Sequence, residues 1–251
     1  MVGRTPGRTL GFRPTINAGL SLRAHLRHDY GVSYSNRPFM RLPQVYPILD
    51  TESLDSRALA LETAAAAFLD GGAGILQIRH KRYWSRAFFD SARTVARLCR
   101  EAGATLVVND RADFALLLDA GLHVGQDDLP PRDARRLMGP DCVVGFSSHN
   151  VAQLCAAGGE PVDYVALGPI FPTASKLHPD PVTGIEEIRR CRPLVEKPLV
   201  AIGGITLENA LEVFRAGADS VAVIAGLLPS PATAHSLRER MEQWQQLVKT
   251  A

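Results

Sequence analysis

Asn109-Asp110 and Asp127-Asp128 each close a short apolar run, in LVVND and GLHVGQDD, while the run ILQIR delivers Arg79 and, two residues on, Lys81. Ser147, Ser148 and His149 follow CVVGF, and Thr173, Ser175 and Lys176 sit together in GPIFPTASK. A carboxylate beside an Arg or a Lys is commonly an ion pair, and any one of these acids taken alone is explained that way. Taken as a set they fit a different chemistry. Asp110 and Asp128 suit a hard cation such as Mg²⁺, which takes few protein carboxylates and shares its sphere with water and substrate phosphates. Arg79, Lys81 and Lys176 supply the positive charge that holds those phosphates. Acids and bases are then complementary parts of one metal-diphosphate site.

Such a site needs elements that bring distant residues together, and the chain has a regular alternation of that kind. VYPILD (45–50) reads as a strand and RALALETAAAAFLDGG (57–72) as a helix whose apolar residues recur at 3.6 spacing and which stops at Gly71-Gly72. AGILQIR, ATLVVND and GLHVG follow as strands, trailed by helices over 85–101, 112–119 and 131–138. CVVGFS, DYVALG, KPLVAIGG and ADSVAVIA complete the set, with helices from 151, over 184–191, through TLENALEVFRAG and over 232–249. Eight strands, apolar at nearly every position and each followed by a helix, argue for a parallel sheet covered on its outer face. In this length they favour a closed (β/α)₈ barrel over an open sheet. A barrel gathers the loops after its strands at one mouth, so the polar strand ends converge.

The same register points to a second anion site. Loops after strands seven and eight of such barrels bind phosphate through backbone N–H groups, and glycine lets the backbone come close. Gly203-Gly204 and Ile224 to Gly226 occupy those two loops. A Gly-Gly pair by itself is only a turn signal; at this point of the barrel count it reads as a phosphate site.

The motifs QIRHK, VVNDR, HVGQDDLP, GFSSHN, GPIFPTASK and AIGGIT, in this order and spacing, resemble the thiamine phosphate synthase family over about residues 43 to 228. The resemblance implies a single (β/α)₈ barrel, spanning 43–251, that joins 4-amino-5-hydroxymethyl-2-methylpyrimidine diphosphate to 4-methyl-5-(2-hydroxyethyl)thiazole phosphate with Mg²⁺. It assigns Gln77, Ile78, Arg79, His80, Lys81, Asn109, Ser147 and Lys176 to the pyrimidine diphosphate, with Arg79, Lys81, Ser147 and Lys176 as the catalytic subset. It assigns Asp110 and Asp128 to the metal, and Thr173, Ala174, Ser175, Gly204, Ile224 and Ala225 to the thiazole phosphate. Three positions depart from the family's habit: His80 stands where Glu is common, Ser175 where Thr is, and Ala225 where Ser is. By strand alternation His80 points away from Arg79 and Lys81, which favours a structural role for it. His123, inside a short apolar strand, reads as a packed core residue. His149 keeps two alternatives in view: a thiazole tautomerase of the same fold that uses a histidine in this region, and a barrel that binds thiamine precursors without turnover.

The rest of the 251 residues sets bounds. With 46% hydrophobic and 22% charged residues the chain is long enough for one large core. Cys99, Cys142, Cys155 and Cys191 have neither metal-site spacing nor the density of a disulfide framework and read as reduced residues of a cytoplasmic protein. No apolar run reaches the ~20 residues that a membrane-spanning helix needs, and a net charge of +2 gives no reason to expect nucleic acid as a partner. Small-molecule substrates are the expected partners, with a second copy of the chain in a homo-oligomer as the further candidate. Residues 1–39 carry six Arg and the single acid Asp29, and 1–42 reads as a poorly ordered extension. Met40 reads as the true start; a targeting segment is the other reading.

Overall fold

The structure, a computed structural model, describes Met1, residues 41–173 and residues 181–250; the Arg-rich extension lies outside the described residues up to position 40. Eight strands run β1 Val45–Asp50, β2 Ile75–Arg79, β3 Thr105–Asn109, β4 Gly121–Val124, β5 Val144–Ser148, β6 Tyr164–Leu167, β7 Leu199–Ile202 and β8 Ser220–Val223. All pair in parallel in sequence order, and β8 returns to β1, so the sheet closes into the expected barrel.

Each strand is buried on two faces, which explains why its sequence is apolar throughout rather than alternating. Inward residues such as Tyr46, Ile48, Val107, Tyr164, Val200 and Ala222 fill the barrel, while outward ones such as Leu49, Ile78, Val108, Leu122 and Val165 pack beneath the helices. Those helices are α1 Thr51–Asp55, α2 Leu61–Asp70, α3 Arg86–Ala102, α4 Ala112–Leu117, α5 Pro131–Met138, α6 Val151–Gly158, α7 Ile185–Cys191, α8 Ala210–Arg215 and α9 Ala234–Val248. Their starts follow local chemistry. Ser85, Asn150 and Thr233 accept the amides of Phe88, Gln153 and Ser236, and Pro131 opens α5 where its missing N–H costs nothing. None of the described helices is long and apolar enough to cross a membrane.

The expected helix over 57–72 is corrected in two ways. The chain turns directly from β1 into α1, because the Asp50 carboxylate accepts from the amide and hydroxyl of Ser53 at 2.9 and 2.7 Å. The longer helix then begins only at Leu61. A second addition is a one-turn 3₁₀ helix, Ala225–Leu227, directly after β8.

Candidate active site

The C-terminal ends of the strands surround an open cavity of about 210 Å³. Its base is a chain of hydrogen bonds laid across the barrel. Gln77 Nε2 donates to the Tyr46 hydroxyl at 3.0 Å, which lies 3.0 Å from the Tyr164 hydroxyl. His123 Nδ1 is 2.9 Å from Tyr164, and its Nε2 is 2.8 Å from Ser147 Oγ. Read from the Gln77 amide, the chain closes with Tyr46 donating to Tyr164, Tyr164 to His123 Nδ1, and His123 Nε2–H to Ser147. Burial pushes both tyrosine hydroxyls well above their ordinary range, so each stays protonated and able to donate. Five strands thus fix one another's polar groups. Gly145 makes room for this: a Cβ there would come 2.1 Å from Tyr164 Cζ and 2.4 Å from its hydroxyl oxygen.

Charge is concentrated on one side of the cavity. Register pairs Asp50 with Arg79, and the Asp50 carboxylate divides its oxygens between two tasks, Oδ1 capping α1 and Oδ2 accepting from Arg79 Nη1 at 2.5 Å. Lys81 Nζ lies 2.5 Å from Asp110 Oδ2. Asp110 is held in a left-handed conformation, φ 65°, while its amide donates to the His123 carbonyl across β3 and β4. That conformation costs a non-glycine residue about 1 kcal/mol, and functional sites are where such strain is kept. Asp128 stands beside Asp110, its Oδ2 accepting the Gly125 amide at 2.7 Å. Burial first, and the neighbouring Asp110 second, push the Asp128 carboxyl above the ordinary carboxylate range; the Gly125 amide and Lys81 pull the other way. Two carboxylates side by side, with one Lys to offset them, concentrate negative charge that a divalent cation can neutralise. The oxygen donors therefore fit Mg²⁺, which needs few protein ligands when water and phosphate complete its sphere. Among the described residues no third carboxylate, His or Cys joins the pair.

The opposite side of the cavity is backbone. Gly203 and Gly204 have φ of 100° and 65°, and a Cβ on them would come 2.6 Å from Pro169 Cα and 2.5 Å from the Pro172 carbonyl oxygen. Only glycine fits there. Asn209 fastens the loop, donating to the Gly204 carbonyl at 3.0 Å and accepting the Thr206 amide at 2.8 Å. Ile224 and Ala225, at the start of the 3₁₀ turn, complete this wall.

Of the residues singled out from sequence, Gln77, Arg79, Lys81, Asn109, Asp110, Asp128, Ser147, Thr173, Gly204, Ile224 and Ala225 line this one cavity, so the expected convergence holds for them. Ala174, Ser175 and Lys176 lie outside the described residues. Two of the residues assigned to the diphosphate are not brought in. Ile78 is fully buried beneath the helices, and the His80 ring stacks on Phe88; both sit away from the cavity, Ile78 on the outward side of β2 and His80 just past its end. Asp127 is exposed and apart from Asp128, since the turn after β4 aims only the second acid inward. His123 corrects the expectation of a plain core residue: it is buried, but it lines the cavity and joins Tyr164 to Ser147. His149 is also at the mouth, with Nδ1 3.1 Å from the Gly168 carbonyl. Sequence reasoning misses Asp50, Tyr46 and Tyr164. Asp50 ends strand one where Arg79 ends strand two, a placement that barrel register alone could have revealed.

The thiamine monophosphate synthase family model matches residues 45–227. The thiamine-phosphate synthase of Koribacter versatilis is 44% identical over 212 residues, 83% of this chain and 97% of that protein. That of Laribacter hongkongensis is 41% identical over 199 residues, covering 78% and 92%. Among solved structures, the thiamine phosphate pyrophosphorylase of Pyrococcus furiosus superposes with a TM-score of 0.72 at 31% identity, covering 82% of this chain and 96% of that one.

Proposed function

This chain belongs to the thiamine monophosphate synthase family, and from that premise we propose how its barrel mouth carries out the reaction. The enzyme condenses 4-amino-5-hydroxymethyl-2-methylpyrimidine diphosphate with 4-methyl-5-(2-hydroxyethyl)thiazole phosphate, releasing pyrophosphate and thiamine phosphate. The bond between the pyrimidine methylene carbon and the diphosphate oxygen breaks, its electron pair leaving with the oxygen. The thiazole nitrogen then supplies the pair for the new carbon–nitrogen bond. Little acid-base work is needed; what is needed is stabilisation of charge on the leaving group.

Arg79, Lys81 and, by its place in the sequence, Lys176 receive that charge. The guanidinium is held by Asp50 through one nitrogen, so its remaining donors are aimed in advance. Asp110 and Asp128 would hold Mg²⁺, which when bound draws off part of the charge developing on the pyrophosphate. Gln77, Asn109 and Ser147 orient the pyrimidine, Gln77 and Ser147 from the two ends of the Tyr46–Tyr164–His123 chain. Thr173, Gly204, Ile224 and Ala225 take the thiazole phosphate, with Ala174 and Ser175 joining from the same loop in sequence. Ala225 lacks the hydroxyl common at its position, and the backbone of the 3₁₀ turn serves instead. The barrel of residues 43–251 is the catalytic domain, and its partners are these two small-molecule substrates.

The observation that carries this reading is the contact of Asp110 with both Lys81 and Asp128 at the rim of one cavity. Purified enzyme given both substrates and Mg²⁺ should form thiamine phosphate and pyrophosphate in equal amounts. Tautomer conversion without condensation, or binding of both substrates without turnover, would contradict it.

A further inference from the structure

β2 and the residues just after it deliver two cations to the cavity, and between them stands a residue facing the other way. The His80 ring stacks on Phe88 of α3, with 3.7 Å between centroids and 15° between planes, and meets Trp84 edge-on at 5.9 Å. Its Nε2 lies 3.3 Å from the Tyr83 carbonyl and its Nδ1 2.8 Å from Thr51 Oγ1. A carbonyl only accepts, so in the neutral ring Nε2 carries the proton and the Thr51 hydroxyl donates to Nδ1. The backbone carbonyl of His80 accepts from Trp84 Nε1 at 3.3 Å, and Trp84 is fixed in turn by stacking on Phe114 of α4 at 4.3 Å.

Thr51 directly follows Asp50. The last residue of β1 and the first of α1 therefore grip the last residue of β2 and the one after it: Asp50 holds the Arg79 side chain, and Thr51 holds the His80 ring. The grip matters because β2 ends at Arg79, so sheet pairing does not extend to Lys81. What fixes the path from Arg79 to Lys81 is the packing of the residue between them.

We propose that His80 is a positioning residue, clamped by Thr51, Phe88 and Trp84 so that Arg79 and Lys81 present their charges to the leaving diphosphate. It never touches substrate. The inference rests on the assignment of those two cations to the diphosphate, and the test separates the two. In the full-length enzyme, KM for each substrate and the inhibition constant of inorganic pyrophosphate are measured for His80→Ala, His80→Phe and Arg79→Ala, together with thermal midpoints. His80→Ala should weaken the pyrimidine diphosphate and pyrophosphate by at least about tenfold while KM for the thiazole phosphate stays within about twofold, since misplacing a charge by a fraction of an ångström acts only on the ligand it faces. His80→Phe keeps the stack on Phe88 and should recover most of the loss. Weakened binding in Arg79→Ala with none in His80→Ala overturns the inference and leaves the site reading standing. Equal losses for both substrates, tracking a lowered midpoint, also overturn it. Unchanged affinity in all three variants overturns the site reading itself.

Discussion

The two ends of this barrel treat carboxylates in opposite ways. At the N-terminal floor, Asp163 and Asp219 stand just before β6 and β8, and each accepts the amide that starts the odd strand beside it, Val144 at 2.7 Å and Leu199 at 2.8 Å. Each is also given a guanidinium at 2.6 Å, Arg135 of α5 for one and Arg192 for the other. Arg135 satisfies its other donors on the carbonyls of Pro161, Gly139 and Cys142. At the mouth, Asp110 and Asp128 are set against each other with Lys81 alongside. Both floor acids have their charge and hydrogen bonds answered within the protein; the mouth pair is answered in full only by something that arrives. The floor uses its charges to hold strands in place, whereas the mouth keeps them for a ligand, and a barrel enzyme needs both.

The sharpest way to break this comparison is at the mouth. Asp110→Ala should lower the rate of condensation by more than ~100-fold, about 2.7 kcal/mol, while the thermal midpoint stays within about 3 °C, because relief of the repulsion with Asp128 offsets removal of the Lys81 ion pair. A large fall in midpoint with near-normal turnover at saturating Mg²⁺ would make Asp110 a floor-type residue. The mirror experiment is Asp163→Ala. It strands Arg135, whose side chain is 2% exposed, and should cost about 3 kcal/mol, a drop of roughly 6–12 °C in midpoint, with kcat and KM unchanged in the folded enzyme. Asp219→Ala tests whether burial sets the size of the floor term. Its ion pair is 26% and 50% exposed, so solvent screening should hold the loss to about 1 kcal/mol, visible as a midpoint shift of roughly 2–4 °C. The smallest effect is expected from starting the chain at Met40: both kcat and midpoint should match the full-length enzyme within error, and a fall in activity would draw the extension into the account.

The sequence carried the mouth better than its base. Arg79, Lys81, Asp110 and Asp128 sit at or just past strand ends, where a polar residue after an apolar run is conspicuous, and counting strands was enough to bring them together. Tyr46, His123 and Tyr164 are embedded in the runs themselves and look like filling; their chain of hydrogen bonds exists only because three non-adjacent strands face one another across the barrel. Asp50 was hidden for a related reason, since its two roles, capping α1 and holding Arg79, depend on a register that one strand read alone does not contain. His80 shows the reverse. Two-residue alternation placed it away from the cavity, against the family's usual assignment of that motif to substrate, and the ring is indeed packed against Phe88. Asp128, the acid chosen from the sequence, is the one that turns inward, and the turn at Gly125, whose amide its carboxylate accepts, is what aims it.

The claim beneath all of this is that Asp110 and Asp128 are paired for a cation that comes with pyrophosphate. Calorimetric titration of Mg²⁺ into the enzyme, with and without inorganic pyrophosphate, tests it directly. Mg²⁺ should bind far more tightly when pyrophosphate is present, and that gain should vanish in both Asp110→Ala and Asp128→Ala. Equal binding of Mg²⁺ and pyrophosphate by wild type and both variants would contradict the account.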